Sequence, residues 1–110
     1  MFMPKIHNEQ TDLLMKALLC LQNEEEAYRF CEDVLTVQEL KSITQRLEVA
    51  IMLRAKVTYQ DIAKKTGAST ATISRVNRSL LYGADGYKTV LDRLSLETDY
   101  IATTDETEDH

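Results

Sequence analysis

The stretch from Thr58 to Arg78, "TYQDIAKKTGASTATISRVNR", constrains the fold more than any other part of the chain. The Thr58 hydroxyl can accept a hydrogen bond from a free N–H in the first turn of a helix. Asp61, three residues on, favours the positive end of the helix dipole. Ile62 and Ala63 face inward. Gly67 ends this helix, where the backbone needs a left-handed conformation that glycine adopts freely. Ser69 then caps a second helix, with Ile73 and Val76 inward and Thr70, Ser74, Arg75 and Arg78 outward. A small residue within the first helix, Gly at the turn, and Ile then Val three apart in the second make a helix-turn-helix pattern. Such a unit lays its second helix in the major groove of double-stranded DNA.

The net charge of −5 opposes such a partner until its distribution is read. From Arg54 to Arg78 there are six basic residues (Arg54, Lys56, Lys64, Lys65, Arg75 and Arg78) against one acid, Asp61. Eight acids lie between Glu9 and Glu39, and six between Glu97 and Asp109. One basic segment on an acidic body orients an approach to phosphate.

Elsewhere the chain reads as helix. Residues 1–8 form a short arm with the single proline, Pro4, and a solvated His7. Leu13, Leu14, Ala17, Leu18 and Leu21 recur at three-to-four spacing and predict a helix over 9–22. Asn23 before "EEE" is a cap followed by an acidic first turn, which opens a second helix running to Leu35. Adjacent carboxylates on a helix diverge, so Glu24–Glu26 read as a solvated start and not as a metal site. "TVQE" at 36–39 has capping-box spacing, and a long helix follows to Ala55. Its apolar residues (Leu40, Ile43, Leu47 and Ala50, then Val49, Ile51, Met52 and Leu53) occupy more than one face. A helix apolar on most sides is buried on most sides, and a partner subunit is expected to cover it. "LLYGADG" at 80–86 ends the second motif helix with two glycines as breakers, and 87–96 form a last helix.

The expectation is therefore an all-α chain of about six helices with no strand. It is read as one helical domain over 1–96: dimerisation helices at 9–55, the helix-turn-helix at 58–82 and a C-terminal helix at 87–96. Residues 97–110 are acidic, lack apolar periodicity and are expected to be mobile. No apolar run is long enough to span a bilayer. Cys20 and Cys31, without CxxC or nearby histidine, read as buried reduced thiols of a cytoplasmic protein, with an inter-helix disulfide or a redox switch as the alternative. No Ser/His/Asp grouping, phosphate loop or zinc spacing is present, which argues against an enzyme, a metal site or a cofactor.

The stretch from Leu35 to Leu81 resembles the Trp repressor family, and within it the YerC/YecD type. The resemblance rests on "LT..E" at Leu35–Glu39, Arg46, Gln60 and Ile62, "GA" at Gly67–Ala68, "ATISR" at Ala71–Arg75, and Ser79–Leu80. It implies an intertwined, all-helical homodimer whose two motif units enter successive major grooves of a palindromic operator, about 34 Å apart. The motif then supplies the candidate DNA contacts: Thr58, Gln60, Lys64, Lys65, Ser69, Thr70, Ala71, Thr72, Ser74, Arg75 and Arg78. In the Trp repressor, a tryptophan corepressor packs between two arginines, which match Arg46 and Arg75. Thr36 matches a pocket position from the partner subunit, and Ser79 a hydroxyl near the ligand amine. Val76 stands where the repressor has glycine to make room for the indole, and Ala50 where it has a larger aliphatic residue. Two readings follow: a pocket filled by Val76, with DNA bound without a corepressor, or a pocket for a ligand other than tryptophan. For Arg46, on the apolar helix, an ion pair is expected ahead of a ligand role, and Arg75 has a salt bridge to an acid of the neighbouring subunit as its third reading. A protein-interaction module with a degenerate helix-turn-helix is the second functional reading.

Overall fold

The computed structural model describes residues 1–97, so the acidic stretch expected to be mobile lies outside the described residues apart from Glu97. Six helices make up the described chain: α1 (Glu9–Cys20), α2 (Glu24–Val34), α3 (Val37–Arg54), α4 (Tyr59–Thr66), α5 (Thr70–Tyr82) and α6 (Gly86–Glu97). No strand is present among the described residues. The expected all-α architecture and the order of its elements hold.

Side-chain caps set most of the helix starts. Asn23 Oδ1 accepts the Glu26 N–H at 2.9 Å. At α3 the box is reciprocal: the Thr36 N–H donates to Glu39 Oε1 at 2.9 Å, and the Glu39 N–H to Thr36 Oγ1 at 3.1 Å. The Thr36 N–H, and secondarily the Thr36 hydroxyl beside the carboxylate, hold the Glu39 carboxyl below the usual glutamate range. A further box was not anticipated. Asn8 Oδ1 accepts from the Thr11 N–H, and Thr11 Oγ1 accepts from the Asn8 N–H, both at 2.8 Å. The N-terminal arm thus ends in a built cap, and exposed His7 pairs with Asp12 at 3.0 Å.

The chain divides into two compact units, 1–41 and from Ser42 onward. In the first unit, neither α1 nor α2 has a buried residue. Leu13, Leu19, Tyr28, Val34 and Val37 are all more than half exposed. The cysteine expectation needs correcting: both thiols are free, but Cys20 is exposed and Cys31 half-buried. These short helices have too little of their own chain around them to enclose a side chain.

The second unit has a closed core. Val49, Ala50, Ile51 and Met52 of α3 pack with Ile62, Ala68, Ile73, Val76 and Leu91, and no polar side chain is buried among the described residues. Each larger aliphatic in such a core stabilises by about 1.5–3 kcal/mol relative to exposure. This corrects the expectation that a partner must cover the mixed apolar faces of α3. Its C-terminal half is enclosed by α4, α5 and α6 of its own chain. The uncovered apolar residues of α3 are at its other end, where Val37, Leu40 and Ile43 remain exposed.

Two chain reversals complete this unit. At the end of α3, the Lys56 N–H bonds the Leu53 carbonyl and the Val57 N–H the Met52 carbonyl, both at 3.1 Å. Lys56 sits at φ 65°, and Val57 packs on the core, a Schellman arrangement with lysine in the left-handed position. At the end of α5, the Gly83 N–H bonds the Ser79 carbonyl at 2.9 Å, and a Cβ on Gly83 would collide with that same oxygen. Gly86, expected to break the chain, instead opens α6.

Candidate nucleic-acid interface and adjoining cleft

The helix-turn-helix is built from local capping and one long tie. Thr58 Oγ1 accepts the Asp61 N–H at 3.2 Å, which starts α4. Thr66 Oγ1 donates to the Ile62 carbonyl at 2.8 Å and accepts the Ala68 N–H at 3.1 Å, so it holds both sides of the turn. Gly67 lies at φ 74°, the left-handed value expected of it. Gln45 on α3 then donates from Nε2 to the Thr66 carbonyl at 3.1 Å. That tie was missed in the sequence, because nothing local marks a partner 21 residues away. Ser69 Oγ accepts the Thr72 N–H at 3.1 Å and starts α5.

The faces of α5 sort its side chains. At about 100° per residue, Thr70, Ala71, Ser74 and Arg78 share one face, and all four are exposed. Arg75 and Ser79 point about a quarter-turn or more away and line a separate cleft. Thr58, Ser69 and Thr72 are committed to caps: the Ser69 hydroxyl also donates to Thr72 Oγ1 at 3.1 Å. Gln60 and Lys64 on α4 are exposed, and Lys65 is half-buried.

Beside α4, Lys56, Lys64 and Lys65 line a concavity of about 570 Å³ with Val57, Thr58 and Asp61. Lys56 enters it because of its left-handed backbone at the end of α3. Arg54 counted toward the basic segment in the sequence, yet its Nη2 pairs with Asp92 Oδ1 of α6 at 2.7 Å. That pair clasps the end of α3 to α6 and removes one cation from the face available to phosphate.

The second feature is the cleft between α3, α5 and α6, about 610 Å³. Arg46, Arg75, Val76 and Ser79, four of the six residues expected in a ligand pocket, line it together. The ion pair expected first for Arg46 is corrected: its side chain is exposed on the cleft side of α3 and makes no ion pair among the described residues. Ile43, Leu47, Tyr87 and Val90 supply apolar walls that the sequence reading had not assigned. The helical spacing identified Ile43 and Leu47 only as apolar residues of the long helix and carried no sign of which faced a cavity, and Tyr87 and Val90 were placed only within the last helix. Ala50 is fully buried in the core and does not line the cleft. Thr36 belongs to the other unit, where its hydroxyl caps α3. The cleft can hold a small molecule with an apolar body and an anionic group facing two guanidiniums.

Among the described residues, no helix is long and apolar enough to cross a membrane, and no group of three or more His, Cys, Asp or Glu is placed to hold a metal ion. An exposed recognition face on a capped helix-turn-helix, inside an all-helical fold, defines a DNA-binding regulator. The chain belongs to the Trp repressor protein family, whose sequence profile matches residues 9–95. It is 51% identical over 90 residues to the uncharacterised protein YerC of Bacillus subtilis, covering 82% of this chain and 86% of that one. A TrpR-like protein of Eubacterium eligens has a similar crystal structure, with a TM-score of 0.78 and 57% identity, over 83% of this chain and 94% of that chain. A candidate Trp repressor from Staphylococcus aureus matches with a TM-score of 0.78 and 49% identity, over 86% and 94% of the two chains.

Proposed function

We propose that the chain is a homodimeric repressor that binds a palindromic operator, with α5 in the major groove. The observation that carries this reading is the division of α5. Ile73 and Val76 lock one side into the core, while Thr70, Ala71, Ser74 and Arg78 stand free on another. Phosphate contacts fall to Arg78, Lys64, Lys65 and Gln60, and base-edge contacts to Thr70, Ala71 and Ser74. Dimerisation through residues 9–55 is supported by the apolar side chains left uncovered on α1, α2 and the start of α3. The cleft takes a small effector other than tryptophan. This rests on Val76, whose side chain forms part of the cleft wall.

Selection of bound genomic fragments by the purified protein, with and without single amino acids, tests the reading. The expected result is a two-fold symmetric motif with half-sites about 34 Å apart, whose recovery tryptophan does not change. Recovery of fragments with no shared motif would overturn it in favour of a protein-interaction module.

A further inference from the structure

Two residues other than glycine have a left-handed backbone among the described residues, Lys56 and Asp85, both at φ 65°. Aspartate tolerates that conformation, because its short side chain can hydrogen-bond nearby backbone. Lysine has no such local compensation, and glycine is the usual residue at a position of this kind. What lysine brings instead is its ammonium. Lys56 is exposed, and it borders the concavity beside α4 with Lys64 and Lys65. Three lysines there face one acid, Asp61. Lys56 and Lys64 make no ion pair among the described residues. Arg54, two residues earlier, does: its charge is taken by Asp92. The end of α3 therefore offers one uncommitted cation, and the chain reversal carries it to α4.

We propose that Lys56 is a contact to the DNA backbone contributed from outside the two motif helices, and that with Lys64 it holds one phosphate. This contact rests on the proposed function and extends it. When the second helix of such a motif enters the major groove, the first crosses the phosphate backbone. The concavity lies along α4, the first of the two, so its lysines border that crossing. Ammonium groups that meet phosphate oxygens hold a protein in register on the duplex and read no sequence. Lys56 thereby adds a fixed point ahead of α4, while Thr70, Ala71 and Ser74 are left to the bases. The left-handed lysine is a strained residue kept at a binding surface. Glycine would end α3 with less strain and leave that phosphate unmet.

The test compares Lys56→Gln, Lys56→Arg and Lys88→Gln in the full chain. Lys88 is exposed and borders a neighbouring groove with Lys56, but not the concavity. Its variant measures the loss of a nearby charge without the loss of a contact. Binding to a duplex of random sequence is followed over a range of salt. Lys56→Gln is expected to lower the slope of log affinity against log salt by about one, and to bind about 5–10-fold more weakly at about 0.1 M salt. Lys56→Arg is expected to restore both, and Lys88→Gln to keep the parent's slope. Parent and variants are expected to recover the same motif from genomic fragments. On that motif, ethylation of one phosphate in each half-site should weaken binding by the parent and not by Lys56→Gln. An unchanged slope for Lys56→Gln, or an equal fall for Lys88→Gln, would overturn the inference and leave the proposed function standing. If the parent binds duplex with no preferred motif, the repressor reading fails, and the slopes still decide whether Lys56 meets phosphate. A parent that binds no duplex at all overturns both.

Discussion

Gln45 and Thr66 are joined by a single hydrogen bond, 3.1 Å from the Gln45 Nε2 to the Thr66 carbonyl, and it links the long helix to the turn of the helix-turn-helix. The carbonyl lies at the free end of α4, and the bond is partly buried. Gln45→Leu leaves that oxygen without its donor and is expected to cost about 1–2 kcal/mol. Thermal unfolding reads the cost. Faster amide exchange at Ala68, whose N–H is held by Thr66, separates a loosened turn from a general loss of stability.

Lys56 occupies the left-handed position that ends α3. A β-carbon there is disfavoured by about 1–2 kcal/mol, partly offset by the greater chain entropy of glycine when unfolded. Lys56→Gly is therefore expected to raise stability by about 0.5–1 kcal/mol in urea unfolding. The same change should weaken DNA binding, because it deletes a cation from the concavity beside α4.

Arg78 stands on the exposed face of α5 and makes no ion pair among the described residues. Arg78→Ala should weaken binding to all sequences alike and reduce the slope of log affinity against log salt by about one. Ser74→Ala, on the same face, should instead alter which sequences are preferred. Binding titrations at several salt concentrations distinguish the two behaviours.

Val76 is both core and cleft wall. Val76→Gly removes a buried side chain from mid-helix and is expected to cost about 2–4 kcal/mol. It also opens the space into which an indole could enter. Tryptophan should raise the melting temperature of the variant and leave that of the parent unchanged. A shift in the parent would contradict the reading of Val76.

Glu39 gives a pH dependence with a defined sign. Its carboxyl is held below the ordinary glutamate range by the Thr36 N–H. A carboxyl lowered in the folded state stabilises above its unfolded pKa, and that contribution disappears as pH falls through the lowered value. The start of α3 should thus loosen on acidification past the usual glutamate range. Glu39→Gln keeps an acceptor but should abolish this pH dependence, measured by amide exchange at Thr36.

Local chemistry was the legible part of this fold. Asn23, Thr36, Thr58 and Ser69 each cap the helix they were assigned, because a cap acts over three residues. Gly67 takes its left-handed turn for the same local reason. Asn8–Thr11 escaped notice because threonine replaces the usual acid or amide at the third helical position. Lys56 did so because only its backbone, and nothing in its side chain, is specialised. Relations across the chain were less visible. Arg54 finds Asp92 at a separation of 38 residues, and the Val49–Met52 run is enclosed by helices whose packing the apolar pattern does not specify. The cleft was legible as two arginines and a serine. Its apolar walls came only with the packing of α6.

The core of the second unit, from Val49 to Leu91, contains no polar side chain among the described residues. No side chain inside it must be matched donor to acceptor, so aliphatic side chains of similar total volume can replace one another at modest cost. The unit is therefore free to drift internally while its outer contacts stay in register. Its sequence constraints sit at the rim, in Gln45, Thr66 and Gly67, which aim the reading helix. Two such proteins could share few interior residues and still present α5 at the same angle.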